Sequence, residues 1–214
     1  MPKYSESPLN NAFFIGNVAI IRLLLNAGAE LEYQNSRTWT SLSYLWDPIR
    51  PAHTATDEIL DICMAQGFSA WTDTDTRGWN PLHRAAAYGC GKEIRNLDCK
   101  GANLRSYTTD HLWGPMTCAV WNSNESTFDA FMGLFQAEEI VNIKDSRGWT
   151  LLHFAAQKGC EHILRSLLRI GADRRALTAG TKDWVTEGLE WKNLTAETIA
   201  REYGHGGIWD KVTG

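Results

Sequence analysis

Two histidines are the first residues of this chain to suggest chemistry. His83 and His153 stand in nearly the same local sequence, Asn80-Pro81-Leu82-His83 and Thr150-Leu151-Leu152-His153. A neutral imidazole is the commonest general base near neutral pH, so each invites a catalytic reading. Asp110 and His111 are adjacent, and together with Arg77 they form a set able to steer a proton. Cys160-x-His162 has no second ligand pair at metal spacing, so no zinc site and no other metal or cofactor is expected. Asp73 and Asp75 open like a calcium loop but lack its glycine and terminal Glu, which predicts hairpin capping instead. Glu138-Glu139 reads as a solvated turn. Asn124-Glu125-Ser126 and Asn193-Leu194-Thr195 fit the glycosylation sequon without a secretory signal to support them. No G-x-S-x-G, phosphate loop or dinucleotide fingerprint is present.

The elements that position these residues recur along the chain. From Asp75 it reads DTRGWNPLHRAAAYGCGKEIRNLDCKGANL, and from Asp145 it reads DSRGWTLLHFAAQKGCEHILRSLLRIGAD. Anchoring on the proline of the first segment gives Pro8, Ser41, Pro81, Pro115, Leu151 and Ala196, separated by 33, 40, 34, 36 and 45 residues. A glycine closes the first helix of a unit at Gly16, Gly89, Gly159 and Gly204, and a second opens a turn at Gly28, Gly101 and Gly171. Each is expected to adopt left-handed φ at a helix end. The spacing predicts short first helices over 81–88 and 151–158, longer second helices over 92–100 and 161–170, and an extended hairpin between units. Apolar residues at i, i+3 and i+4, such as Ile163, Leu164, Leu167 and Leu168, mark the buried stripe.

The pattern D-x-x-G-x-T-P-L-H-x-A-A-x-x-G followed by G-A-D closely resembles the ankyrin repeat. That resemblance covers almost the whole chain and implies an all-α repeat solenoid of about six helix-turn-helix repeats with hairpin loops. The repeats span approximately 4–36, 37–73, 74–107, 108–143, 144–177 and 192–214 of one domain over 1–214, with insertions at 47–57 and 177–192. The resemblance also implies that His83 and His153 link neighbouring turns by hydrogen bonds instead of catalysing. Cys90 and Cys160 occupy a slot after the glycine where the family usually carries His.

The chain holds ten tryptophans, and four of them, Trp39, Trp79, Trp113 and Trp149, stand two residues before an anchor. Two residues earlier stand Arg37, Arg77, His111 and Arg147, with Lys192 in the last unit. By resemblance this hairpin slot is variable and faces a concave recognition surface. Tyr88 and Trp121, with Phe14 and Ile15, line the second variable position. Stacked units would set these side chains in a ladder of roughly 10 Å per step. The rings are expected either to pack on one another and on the guanidinium groups or to form a groove for a partner.

Composition sets the remaining expectations. A formal charge of −4 and a pI near 5.9 disfavour nucleic acid. With no apolar run of 18 residues and no signal-peptide core, no membrane span or secretion is expected, and the five scattered cysteines predict reduced thiols in an intracellular, cytoplasmic or nuclear setting. The expected function is a non-enzymatic scaffold that binds a protein segment of apolar and acidic character through the tryptophan and arginine rows. The alternative is a protein that binds, or acts on, a small aromatic or terpenoid-like molecule in the tryptophan-lined concavity, with His111, Asp110 or Arg77 moving a proton. The apolar run Phe13-Phe14-Ile15 and Ile20-Ile21 adds an expectation of weak homodimerisation through the N-terminal repeat.

Overall fold

A computed structural model of the protein describes residues 7–49, 55–68, 73–76, 78–108, 111–179 and 193–214. Arg77, Asp110 and Lys192 lie outside these, as do residues 50–54 and 180–192 of the two insertions. The chain forms α1 (Pro8–Ile15), α2 (Val18–Asn26), a 3-10 turn (Ser41–Trp46), α3 (Thr56–Ala65), α4 (Pro81–Tyr88) and α5 (Gly91–Cys99). It continues with α6 (Pro115–Trp121), α7 (Glu125–Leu134), α8 (Ala137–Val141), α9 (Leu151–Lys158), α10 (Glu161–Arg169), α11 (Ala196–Glu202) and α12 (Gly206–Thr213). The result is an all-α repeat solenoid.

Local chemistry starts these helices. Proline opens α1, α4 and α6, where its missing N–H costs nothing and its fixed φ is already helical. Side chains of Ser7, Asn17, Asn80, Asn124 and Thr195 accept a backbone N–H in the first turn of their helices. Gly16, Gly159 and Gly204 end first helices with φ of 77°, 64° and 80°, as the pattern predicts. Gly89 does not, being extended at φ −84° and ψ −159°. Glycine is required there by proximity, because a Cβ would run into the Ala85 carbonyl and the buried Glu93 carboxylate. That carboxylate accepts from Trp46 Nε1 at 3.1 Å and from the Cys90 N–H at 2.9 Å.

The helices stack in two rows. The first row runs α1, the 3-10 turn, α4, α6, α9 and α11, and the second runs α2, α3, α5, α7, α10 and α12, each helix packed on the next. One core runs between the rows, from Phe13 and Ile21 through Leu42, Leu82, Ile94, Phe128 and Leu152 to Ile199 and Trp209. Exposed ion pairs join successive second-row helices, Arg22 to Glu58 at 3.2 Å, Lys92 to Asp57, Lys100 to Asp61 and Lys211 to Glu161 at 2.7 Å, with a hydrogen bond between His162 and Asp129 at 2.7 Å. Each contributes little singly, so the apolar stripe holds the stack and the charges fix its register. At the N-terminal unit Phe13 and Ile21 are core residues, whereas Ile15, Ile20 and Leu23 are exposed.

One stretch differs from expectation, and one sequon has a structural use. Glu138 and Glu139 belong to α8, an added helical turn, and not to a solvated turn. Glu139 accepts from Arg105 Nε at 2.5 Å and Nη2 at 2.9 Å, and that guanidinium covers the Phe135 ring at 4.2 Å. Asn124, the first sequon asparagine, is engaged by its Nδ2 with the carbonyls of Ala86, Ala87 and Gly89 at 3.3, 3.2 and 2.9 Å. It thereby satisfies the open end of α4 from the cap of α7.

Candidate binding face

The hairpins between units set the tryptophans. In each, one residue closes the turn twice. The backbone N–H of Asn35, Asp75, Thr108 and Asp145 donates to the carbonyl of Trp39, Trp79, Trp113 and Trp149 at 3.1, 2.8, 2.9 and 2.9 Å. The side-chain oxygen of the same residue accepts the tryptophan N–H at 3.0, 3.0, 2.9 and 2.9 Å. Asp75 is thus a hairpin cap, as its context predicts. Successive hairpins are then joined by backbone: Thr76 N–H to Arg37 O at 3.4 Å, Ser146 N–H to His111 O at 3.0 Å and Ala179 N–H to Arg147 O at 2.8 Å.

The four tryptophans share a slot but not an environment. Trp149 is 2% exposed and packs on Phe154 with ring centroids 5.1 Å apart. Arg147, also buried, donates to the Asp145 carboxylate through Nε at 2.9 Å and Nη2 at 2.8 Å and lies 5.4 Å from the Trp149 ring centroid. The expectation that this pair lies open on a recognition surface is therefore corrected, because Asp145 pulls the guanidinium inward and the ring closes beneath it. Trp39 is half-buried, covered by the Arg84 guanidinium at 3.7 Å from its centroid, with Arg37 at 5.4 Å. Arg84 in turn forms a buried ion pair with Asp75. The reading in which indoles and guanidiniums pack as a structural stack thus describes both of these places.

The middle of the array is more open. Trp79, half-buried, lies against the exposed Tyr88 at 6.3 Å and 25° between planes. Trp113, half-buried, donates from Nε1 to Asp145 at 3.3 Å and meets Trp121 at 5.2 Å, the Phe154 edge at 5.3 Å and His111 at 6.1 Å. Trp121 carries the Lys158 ammonium 3.7 Å from its centroid. Burial lowers the Lys158 pKa from the usual lysine value. Sequence reasoning missed Arg84 and Lys158, both on first-row helices, because it looked for cations only in the hairpin register.

The two histidines are linkers, as the resemblance implied. His83 is fully buried, with Nδ1 accepting the Asn80 N–H at 3.3 Å and Nε2 donating to the Trp113 carbonyl of the next hairpin at 2.9 Å. His153 repeats this with the Thr150 N–H at 3.0 Å on Nδ1 and the carbonyls of Ala176 and Leu194 at 3.1 and 3.2 Å from Nε2. Desolvation pushes the His83 pKa down to about 4 and lowers that of His153, which keeps both imidazoles neutral. All five cysteines are free thiols, and burial pushes Cys63 up to about 12 and Cys160 up to about 11, so these two are poor nucleophiles. Among the described residues no three His, Cys, Asp or Glu side chains converge as metal ligands, and no helix is long and apolar enough to cross a membrane. A groove of about 640 Å³ opens between Leu104, Tyr107, Leu112, Met116, Phe135 and Ile143, and no tryptophan is among its lining residues.

Helix pairs stacked in two rows, hairpins joined by backbone and two buried histidines that bridge their units to the next hairpin define a class of repeat scaffold with a side-chain face along its first helices. The ankyrin-repeat family model matches residues 147–179. The chain is 26% identical over 173 residues to the human transient receptor potential cation channel subfamily A member 1, covering 78% of this chain and 15% of that protein. It is 27% identical over 169 residues to the probable E3 ubiquitin-protein ligase XBOS32 of Oryza sativa subsp. japonica, covering 78% of this chain and 31% of that one. Its fold matches a chain in the complex of the Bd0816 predatory endopeptidase from Bdellovibrio bacteriovorus with immunity protein Bd3460, at 18% identity and a TM-score of 0.69, covering 97% of this chain and 98% of that one. Residues 147–179 are thus an ankyrin repeat, and the chain is similar to ankyrin-repeat proteins over most of its length.

Proposed function

We propose that the protein is a non-enzymatic binding module that holds a segment of a protein partner along the face formed by Trp79, Tyr88, Trp113 and Trp121. Ankyrin repeats as a class mediate protein–protein interaction. The observation that carries the finer reading is the contrast within one slot. Trp149 is closed into the core, whereas Trp79 and Trp113 keep part of their surface open and adjoin Tyr88, which is 38% exposed, and half-buried Trp121. Aromatic rings held by their neighbours with one side free lose little entropy on contact, which is why such residues dominate interface energetics.

The test uses peptides selected from a random display library on the wild-type protein. Trp79→Ala with Tyr88→Ala should weaken their binding by about 1–3 kcal/mol per ring, in the range of aromatic hot spots, while circular dichroism shows the helices intact. Undiminished binding by a folded double variant would refute the face as the site.

A further inference from the structure

We infer that Lys158, seated over Trp121, is the point at which this face receives a carboxylate side chain of the partner segment. This rests on the protein-binding reading above and names the chemistry of what is bound. Lys158 ends α9 at the place where α4 carries Tyr88 and α1 carries Ile15, so it lies in the second variable row. Its ammonium is 3.7 Å from the Trp121 centroid, and among the described residues it has no carboxylate partner. An ammonium has three N–H donors, and a ring face can engage only one side of it, so the remaining donors point away from the indole.

The neighbouring cations are already committed. Arg84 is paired with Asp75 and Arg147 with Asp145, both pairs buried. Lys158 is half-buried and depends on the ring alone, and burial is the one cause that moves its pKa, downward. An incoming carboxylate would restore the interaction that burial removed, at a place where Trp113 and Trp121 offer apolar area beside it. The net charge of −4 adds selectivity, since a generally acidic partner is repelled and only one that sets its carboxylate on this cation gains.

The experiment selects random displayed peptides on the wild type and on Lys158→Glu, then measures one wild-type-selected peptide by fluorescence anisotropy. Wild-type peptides should be rich in Asp or Glu beside large apolar residues. The chosen peptide should bind Lys158→Glu at least tenfold more weakly and Lys158→Gln severalfold more weakly. Replacing its acidic residue with Lys should recover binding to Lys158→Glu, a charge exchange that a damaged fold cannot produce. Peptides without acidic enrichment, or equal binding to wild type and Lys158→Glu, overturn the inference. If Trp79→Ala with Tyr88→Ala abolishes binding while Lys158→Glu leaves it unchanged, the inference fails and the binding face stands. If the wild type selects no peptide, both fail.

Discussion

Stability should fall as pH drops from neutral to mildly acidic, because the array is joined by neutral histidines. His83 is fully buried with its pKa pushed down to about 4, chiefly by desolvation, although its bond to the Trp113 carbonyl and the charge of Asp75 pull the other way. In the unfolded chain the same group titrates near 6.5. Between these values the unfolded state binds a proton that the folded state does not, so the contribution is complete above 6.5 and is lost as pH falls towards 4. Linkage then gives a loss of about 2 kcal/mol from His83 alone between pH 7.5 and pH 5. His153, lowered for the same reason, adds a loss of the same sign. The carboxylates of Asp57, Glu139 and Glu161 are held below their ordinary values, so their contributions fade only at more acidic pH. Urea unfolding at several pH values measures the slope, and the carbon-bound imidazole protons followed by NMR report whether His83 stays neutral at pH 5 in the folded protein. A flat stability curve over this range, or an imidazole that titrates near 6.5 while folded, would refute the reasoning.

Two further outcomes follow from the environments within the hairpins. Trp149→Ala should cost about 3–5 kcal/mol in urea unfolding, as for other buried Trp or Phe truncations, whereas Tyr88→Ala should cost less than about 1 kcal/mol; equal costs would show that Trp149 is not a core residue. Leu112 holds φ of 56° while half its surface is exposed, at the hairpin place where Gly78 and Gly148 stand. Leu112→Asn should therefore stabilise by about 0.5–1 kcal/mol, read as a higher thermal midpoint, and an unchanged or lower midpoint would count against strain there.

The helix pairs were legible because a repeat states its periodicity several times over. Proline anchors, closing glycines and apolar stripes set α4, α5, α9 and α10 to within about a residue of their observed ends. The roles of His83 and His153 were legible only through family resemblance, since nothing in N-P-L-H by itself tells a linker from a base. Tryptophan burial was not legible, because it depends on the next unit. Trp39 meets Arg84 and Trp113 meets Phe154, each the third residue after the anchor of the following first-row helix. At that place after Trp79 the chain offers Cys118, small and fully buried, and Trp79 lies on Tyr88 of its own unit instead. Gly89 was misread because what a Cβ would meet there, the Ala85 carbonyl and a Glu93 carboxylate held by both the Cys90 N–H and the Trp46 indole, is set by packing and not by the repeat pattern.

Repetition itself argues differently from how it first reads. Four tryptophans behind three arginines and a histidine suggest a ladder built for a ligand, because no single hairpin needs so large a ring. Yet the register residues Arg37, His111 and Arg147 give their carbonyls to the next hairpin, and the tryptophan backbone closes every turn. Whatever a stack requires it requires at each step, so a feature repeated in four successive hairpins is first a feature of stacking. Recognition of one particular partner needs the opposite, a surface that differs from unit to unit. Tyr88, Trp121 and Lys158 occupy equivalent or adjacent places at the ends of α4, α6 and α9, and they are chemically distinct where the hairpin row is uniform. On the proposed reading, specificity would therefore belong to the helix-end row, with the tryptophan hairpins as the rigid wall against which it works.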